Sequence, residues 1–72
     1  MNPTHRLLEI HTEDAYHDVK DELIGKRGYW FPRSDGDEEW KHGDFTFTDP
    51  ITVEDAKNGA VFYKVKTEEL PA

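Results

Sequence analysis

The sequence contains no cysteine, so neither a disulfide nor a thiolate-bound metal can hold the chain together. It also has no apolar run approaching the roughly 20 residues that a membrane-spanning helix needs. The first residues are not followed by the apolar run of a signal peptide. These absences predict a cytoplasmic protein that does not sit in a membrane. With 72 residues in all, the chain has room for one small domain spanning 1–72.

Basic residues are in short supply. Nine lysines and arginines face sixteen acids, which gives a formal net charge of −7. Long-range repulsion then disfavours direct contact with nucleic acid or with an anionic membrane surface. The same charge keeps a small protein soluble and would attract a protein partner with a basic surface.

Residues 23–40 form the stretch around which the rest of the chain is organised. Gly25 and Gly28 bracket two basic residues, and because glycine reaches positive φ at no steric cost, we expect a turn there. The three consecutive aromatics at 29–31 favour a strand. Pro32 cannot donate to a ladder, so it predicts the end of that strand.

The residues after this strand predict a loop and then a second strand. Residues 34–37 have loop composition, and Trp40 starts a second strand. Residues 41–43 are interpreted as a turn or bulge. Alternation of phenylalanine and threonine predicts a strand over 44–48, which Pro50 ends.

Two further strands are predicted near the ends of the chain. Residues 5–11 place Leu8 and Ile10 on one face and Leu7 on the other. Residues 60–66 alternate as a strand as well. The residues expected to share one face of that strand are Val61, Tyr63 and Val65.

Three segments remain, and two of them admit alternative secondary structures. Residues 13–22 have helical apolar spacing, with Thr12 as the candidate cap, and fit a short helix or an acidic loop equally well. Residues 51–59 fit one helical turn with a cap at Thr52, or a strand and a hairpin turn; we favour a short turn leading into the next strand. Residues 67–70 are expected to form one turn whose leucine covers an end of the core.

Together these elements predict a mostly β fold, or an α+β fold with one short helix. The architecture would be a small barrel or a rolled antiparallel sheet of four to five strands.

The turn and strand at residues 23–31, the tryptophan after the second loop and the late tyrosine-bearing strand resemble small SH3-like barrel domains. The resemblance covers about residues 5 to 66. The Ala-Leu-Tyr-Asp-Tyr and Pro-Ser-Asn-Tyr motifs of many SH3 domains are absent, so no proline-peptide groove is carried over. In size and acidity the chain is similar to small bacterial proteins and to accessory proteins of bacteriophages.

Catalytic and metal-binding patterns give little support to a reactive site. Four histidines are present, but none of them forms a close His-x-x-x-His pair. The acids of residues 35–39 suggest calcium, yet they lack the spacing of an EF-hand. Nucleophile and phosphate-loop motifs are absent as well. We therefore expect no enzyme activity, no metal and no cofactor.

The aromatics are more numerous than one small core needs, and rings surrounded by charge are typical of protein interfaces. Within the strand at 29–31, Tyr29 and Phe31 face one way and Trp30 the other, so one large ring is expected outside the core. The sequence predicts a non-catalytic protein-binding module, accessory or regulatory in role. The apolar anchors of the predicted site are Tyr16, Trp30 and Trp40. The acids expected to meet a basic partner are Asp35, Asp37, Glu38 and Glu39.

Two alternatives belong to other functional classes. An acidic protein can mimic nucleic acid and inhibit a DNA- or RNA-handling protein, provided that its acids line up on one side. Residues 13–22 and 35–39 are the candidates for that line. The chain can also be an assembly subunit that completes its sheet against a neighbour.

Overall fold

Residues 2–33 and 39–71 are described by the computed structural model of the chain. Within these ranges the chain forms four strands, and each strand pairs antiparallel with its neighbours in a closed barrel of order β1-β2-β3-β4. The strands are β1 (His5–Ile10), β2 (Arg27–Pro32), β3 (Lys41–Phe47) and β4 (Ala60–Glu69). The predicted mostly β fold with one short helix is confirmed.

The helix lies in the connection from β1 to β2. A 3₁₀ turn at His17–Val19 runs directly into α1 (Lys20–Leu23). The predicted cap at Thr12 is wrong, because neither segment has a side-chain cap hydrogen bond. Asp14 takes part in this connection instead, and its carboxylate accepts the Tyr16 N–H at 3.1 Å.

The connection from β3 to β4 contains the expected short turn. A 3₁₀ segment spans Glu54–Ala56, and Gly59 has a φ of 113° where the chain enters β4. Only glycine adopts that conformation without strain. The capping role predicted for Thr52 is wrong, because its hydroxyl donates to Glu22 of α1 rather than to its own turn.

Each of the two terminal strands contains a bulge, and the bulges overturn the predicted strand faces. In β1 the register shifts between Leu7 and Glu9, so that Leu7 and Ile10 are both buried and Leu8 is exposed. In β4 the shift lies between Phe62 and Val65, opposite Lys41 and Gly43. A bulge inserts one residue and so inverts the inward face of a strand beyond it. Phe62 and Val65 are therefore both buried, whereas Val61 and Tyr63 are exposed.

Two strand ends also differ from the prediction. β4 continues to Glu69, so residues 67–69 are strand and not a turn. β3 begins at Lys41, and the predicted turn or bulge at 41–43 is the point where its pairing with β4 shifts register. The two strands predicted around Trp40 and at 44–48 are thus a single strand.

Gly28 is a strand residue and does not close the predicted basic turn. It is buried in β2 opposite Phe47, and a Cβ at this position would lie 2.2 Å from the Thr46 carbonyl oxygen. The turn glycine is Gly25, whose φ is 90°. β3 can approach β2 this closely because Gly28 has no side chain.

The core fills the barrel with side chains from β1, β3 and β4 and from the connections β1–β2 and β3–β4. Its buried members are Leu7, Ile10, Leu23, Phe45, Phe47, Ala56, Ala60, Phe62 and Val65. Tyr16, Trp30, Ile51 and Val53 pack against them from the rim. Among the helices in the described ranges, none is both long and apolar enough to cross a membrane.

Candidate functional site

Tyr16, the first of the predicted anchors, is half-buried against the core. Its ring centroid lies 4.9 Å from that of Phe62. Burial raises the pKa of the Tyr16 hydroxyl above its ordinary value of 10.0, and the negative charges of Asp55 and Asp14 raise it further. The Tyr16 side chain therefore serves mainly to pack on the core.

Trp30 faces the inside of the barrel. It is directly opposite Phe45 in the β2–β3 ladder, with the two rings 6.3 Å apart. Its indole also lies over Gly43, where an added Cβ would be 2.8 Å from the ring. Trp30 is thus partly buried and packs against the core.

Trp40 lies in a different environment, just before β3. The His11 ring meets it edge-on at 5.2 Å, and the Lys66 ammonium stands 4.5 Å from the centre of the indole. Lys66 is also 3.3 Å from a Glu9 oxygen and 3.6 Å from a Glu39 oxygen. Tyr16, Trp30 and Trp40 therefore pack against different neighbours and do not form one cluster.

Of the four predicted acids, Glu39 is exposed and pairs with Lys66 as above. Asp35, Asp37 and Glu38 lie outside the described residues. Their role in binding stays a prediction.

The rings that are most exposed lie on another surface, the outer side of β2, β3 and β4. Phe31 is 58% exposed and Tyr63 is 59% exposed. Phe31 is directly opposite Asp44 in the β2–β3 ladder, and Asp44 is directly opposite Val61 in the β3–β4 ladder. Since opposite residues of antiparallel strands point to the same side, these side chains share one face.

The next row of this surface contains Tyr63. Its ring lies 5.1 Å from the ring of His42, tilted by 30°. His42 precedes Asp44 by two residues in β3 and so lies on the same side of the strand. The row ends at Arg33, whose N–H donates to the His42 carbonyl at 2.7 Å.

An ion pair crosses the centre of this surface. The Arg33 guanidinium donates to both oxygens of Asp44, at 3.3 and 3.2 Å, and both side chains are partly exposed. We call this surface the outer aromatic face. Its residues are Phe31, Arg33, His42, Asp44, Val61 and Tyr63.

Sequence reasoning missed the outer aromatic face because it selected the wrong side of β2. The alternation of Tyr29 and Phe31 against Trp30 was the available signal, and the structure has that alternation. The larger tryptophan turns inward, and Phe31 is the ring left outside. Alternation predicted that Tyr63 shares a face with Val65, but the bulge in β4 turns Val65 inward and leaves Tyr63 outside.

Two acids of the predicted acidic line at 13–22 serve the fold. Asp14 is 5% exposed, and one of its oxygens accepts the N–H groups of Tyr63 at 2.6 Å and Lys64 at 3.0 Å. Glu22 accepts from the hydroxyl and the N–H of Thr52. Those hydrogen bonds, the hydroxyl's first, lower the pKa of the Glu22 carboxyl below its ordinary value of 4.5.

Two open cavities of about 320 and 490 Å³ flank the terminal segments. Both are lined by Asn2, Pro3, Leu70 and Pro71. Arg6 and Arg27 border the smaller cavity, and each is engaged by the protein: Arg6 lies 3.4 Å from Glu68, and Arg27 lies 2.9 Å from Asp49. Within residues 2–33 and 39–71, no three metal-ligating side chains are grouped to hold an ion.

The chain was compared with protein families, curated proteins and solved structures, and no family model, no curated protein and no solved structure matches it.

Proposed function

We propose that the chain is a non-catalytic protein-binding module that docks a partner on the outer aromatic face. The observation that carries this proposal is the exposure of Phe31 and Tyr63 on one side of the same three strands. Large exposed rings cost solubility and contribute nothing to the core, whereas they are frequent anchors of protein interfaces.

Charge supports a partner with a basic surface. The chain carries a net charge of −7, and four acids occur in the connection between the two strands that hold Phe31 and Asp44. Such a charge accelerates encounter with a cationic protein more than it adds to affinity. It opposes docking on a polyanion.

The test is capture from native lysate with three immobilised proteins. These are the wild type, a variant with both Phe31→Ala and Tyr63→Ala, and Leu8→Ala as the control. Leu8 is exposed on β1, away from the face, so its removal tests a general loss of apolar surface.

We expect one saturable partner with the wild type and with Leu8→Ala, and its loss with the double variant. The captured protein is then purified and its dissociation constant measured. Loss of one interface anchor weakens binding by about 30-fold, since such anchors contribute about 2 kcal/mol or more. Equal capture by all three proteins, or no saturable capture at all, contradicts the proposal.

A further inference from the structure

We infer that the centre of the outer aromatic face recognises a cationic side chain of the partner, an arginine or a lysine, at the carboxylate of Asp44. This inference rests on the proposed function, because it assigns the partner's chemistry at the same face. Its basis is the arrangement of one carboxylate between exposed apolar side chains.

Asp44 lies in the middle of the face. Phe31 stands directly across from it on β2, and Val61 stands directly across from it on β4. Directly opposite residues have Cβ atoms about 4.5–5.5 Å apart. The carboxylate is therefore flanked by apolar groups, and the Phe31 ring is close enough to contact the stem or the charged head of a cation bound there.

A cation already occupies this position within the chain. Arg33 donates to both Asp44 oxygens at 3.2 to 3.3 Å, and both side chains are partly exposed. An exposed pair of this kind contributes little to folding stability. A partner's arginine can thus replace Arg33 at Asp44 with little cost to the fold, and Arg33 acts as an internal competitor.

The charge of the whole chain disfavours two other occupants. A second copy brings another net charge of −7 to the interface, and an anionic segment meets the same repulsion. A cationic segment is the occupant whose charge is complementary to both the molecule and the central carboxylate.

The test uses two synthetic peptides that differ only in charge. One is acetyl-Gly-Leu-Arg-Leu-Arg-Gly-amide, and the other carries citrulline, a neutral isostere, in place of each arginine. Binding is followed through the amide chemical shifts of Phe31, Asp44, Val61 and Tyr63 in the isotope-labelled protein. The protein variants are Asp44→Asn, which removes the charge at nearly constant shape, and Arg33→Gln, which releases the carboxylate.

We expect the arginine peptide to bind the wild type about fivefold more tightly than the citrulline peptide, as suits one exposed charge pair beside an aromatic ring. Asp44→Asn removes this preference, and Arg33→Gln increases it. The preference also shrinks as salt is added, because the pair is exposed.

Three outcomes overturn the inference. The first is equal binding of both peptides to the wild type, and the second is a preference that survives Asp44→Asn. The third is the absence of any saturable shift on the face. In the first two cases the face still binds a peptide, so the proposed function stands, and in the third the lysate capture decides it separately.

Discussion

Asp14 shows how a single residue connects two distant parts of the barrel. It follows β1, yet its buried carboxylate accepts the N–H groups of Tyr63 and Lys64 on β4. These two residues lie in the bulge of β4, where the ladder with β3 is interrupted. Backbone N–H groups that are buried without an acceptor are costly, so the carboxylate stabilises the bulge that reverses the faces of β4.

Replacement of Asp14 by asparagine tests this role. The amide group of asparagine is a donor, and in either orientation it faces at least one backbone N–H that needs an acceptor. We expect Asp14→Asn to lower the free energy of unfolding by about 1.5–3 kcal/mol, the range for hydrogen bonds to a charged group. Urea denaturation measures the change. Asp18→Asn, an exposed acid of the same connection, is the control and should change stability by less than about 0.5 kcal/mol. Equal effects of the two substitutions would contradict the role.

Positions 25 and 28 require glycine for different structural reasons, and alanine substitutions distinguish them. At Gly25 a Cβ meets nothing within 4 Å, so the cost comes from its φ of 90° alone, about 1–2 kcal/mol. At Gly28 a Cβ would come within 2.2 Å of the Thr46 carbonyl oxygen, and this backbone atom cannot move without separating β2 from β3. We therefore expect Gly28→Ala to cost more than Gly25→Ala, about 3 kcal/mol or a failure to fold. Thermal unfolding of both variants measures the order, and the reverse order would show that the strands do not approach so closely.

At the scale of elements, the sequence predicts the strands better than it predicts their faces. Alternation of apolar residues located β1 and β4, because β-branched and aromatic residues favour strands at any register. The inward side depends on an unbroken period of two. One extra residue in each strand breaks that period, at Leu8 in β1 and between Phe62 and Val65 in β4. A bulge depends on pairing with a neighbouring strand, which a single segment of sequence does not contain.

The short helix is fixed to the β3–β4 connection by Glu22. Its carboxylate accepts from the Thr52 hydroxyl, the Thr52 N–H and the Val53 N–H. These bonds, led by that from the Thr52 hydroxyl, lower the pKa of Glu22. In the same way, the Arg27 guanidinium, followed by the Arg27 N–H, lowers the pKa of Asp49. Both connections therefore depend on ionised carboxylates.

This dependence predicts acid sensitivity with a defined sign. A carboxyl whose pKa is lower in the folded state stabilises the protein fully above its ordinary pKa, which is 4.5 for Glu22 and 3.8 for Asp49. That stabilisation is lost as the pH falls through the folded pKa. We expect the melting temperature of the wild type to decrease when the pH is lowered below about 4. The decrease should be smaller for Glu22→Gln. Asp49→Asn should reduce the slope independently, and the double variant should be the flattest. Parallel profiles for the wild type and Glu22→Gln would refute the assignment.

At the scale of the whole molecule, the sequence predicted a surplus of rings but not which rings are in surplus. A barrel of this size has one small core, and Phe45, Phe47 and Phe62 are the three aromatic residues buried in it. Trp30 covers the rim because Gly43 opposite Pro32 leaves space for an indole. Phe31 and Tyr63 are then left outside. Which of two neighbouring aromatics turns inward is decided by the space across the ladder, and composition holds no information on that space.

Closure of the barrel is uneven around its circumference, and this unevenness predicts where it opens. β2 pairs with β3 at five register positions but with β1 at only two, His5–Gly28 and Arg6–Arg27. Beyond Gly28 the link is a side chain, because the Trp30 N–H donates to the Thr4 hydroxyl at 3.3 Å. Local opening begins where few backbone hydrogen bonds must break together, so the β1–β2 seam should open before the other three.

Native-state hydrogen exchange measures this order. We expect the Trp30 amide to exchange about fivefold faster or more than the amides that join β3 to β2 and β4, since one net hydrogen bond is worth about 1 kcal/mol. Thr4→Val removes the accepting hydroxyl and should accelerate Trp30 further. Thr48→Val is the matched control, because the Thr48 hydroxyl donates to the Arg27 carbonyl and does not bond to Trp30. If Trp30 is as protected as the β2–β3 amides, or if both threonine variants act alike, then the barrel opens as one unit.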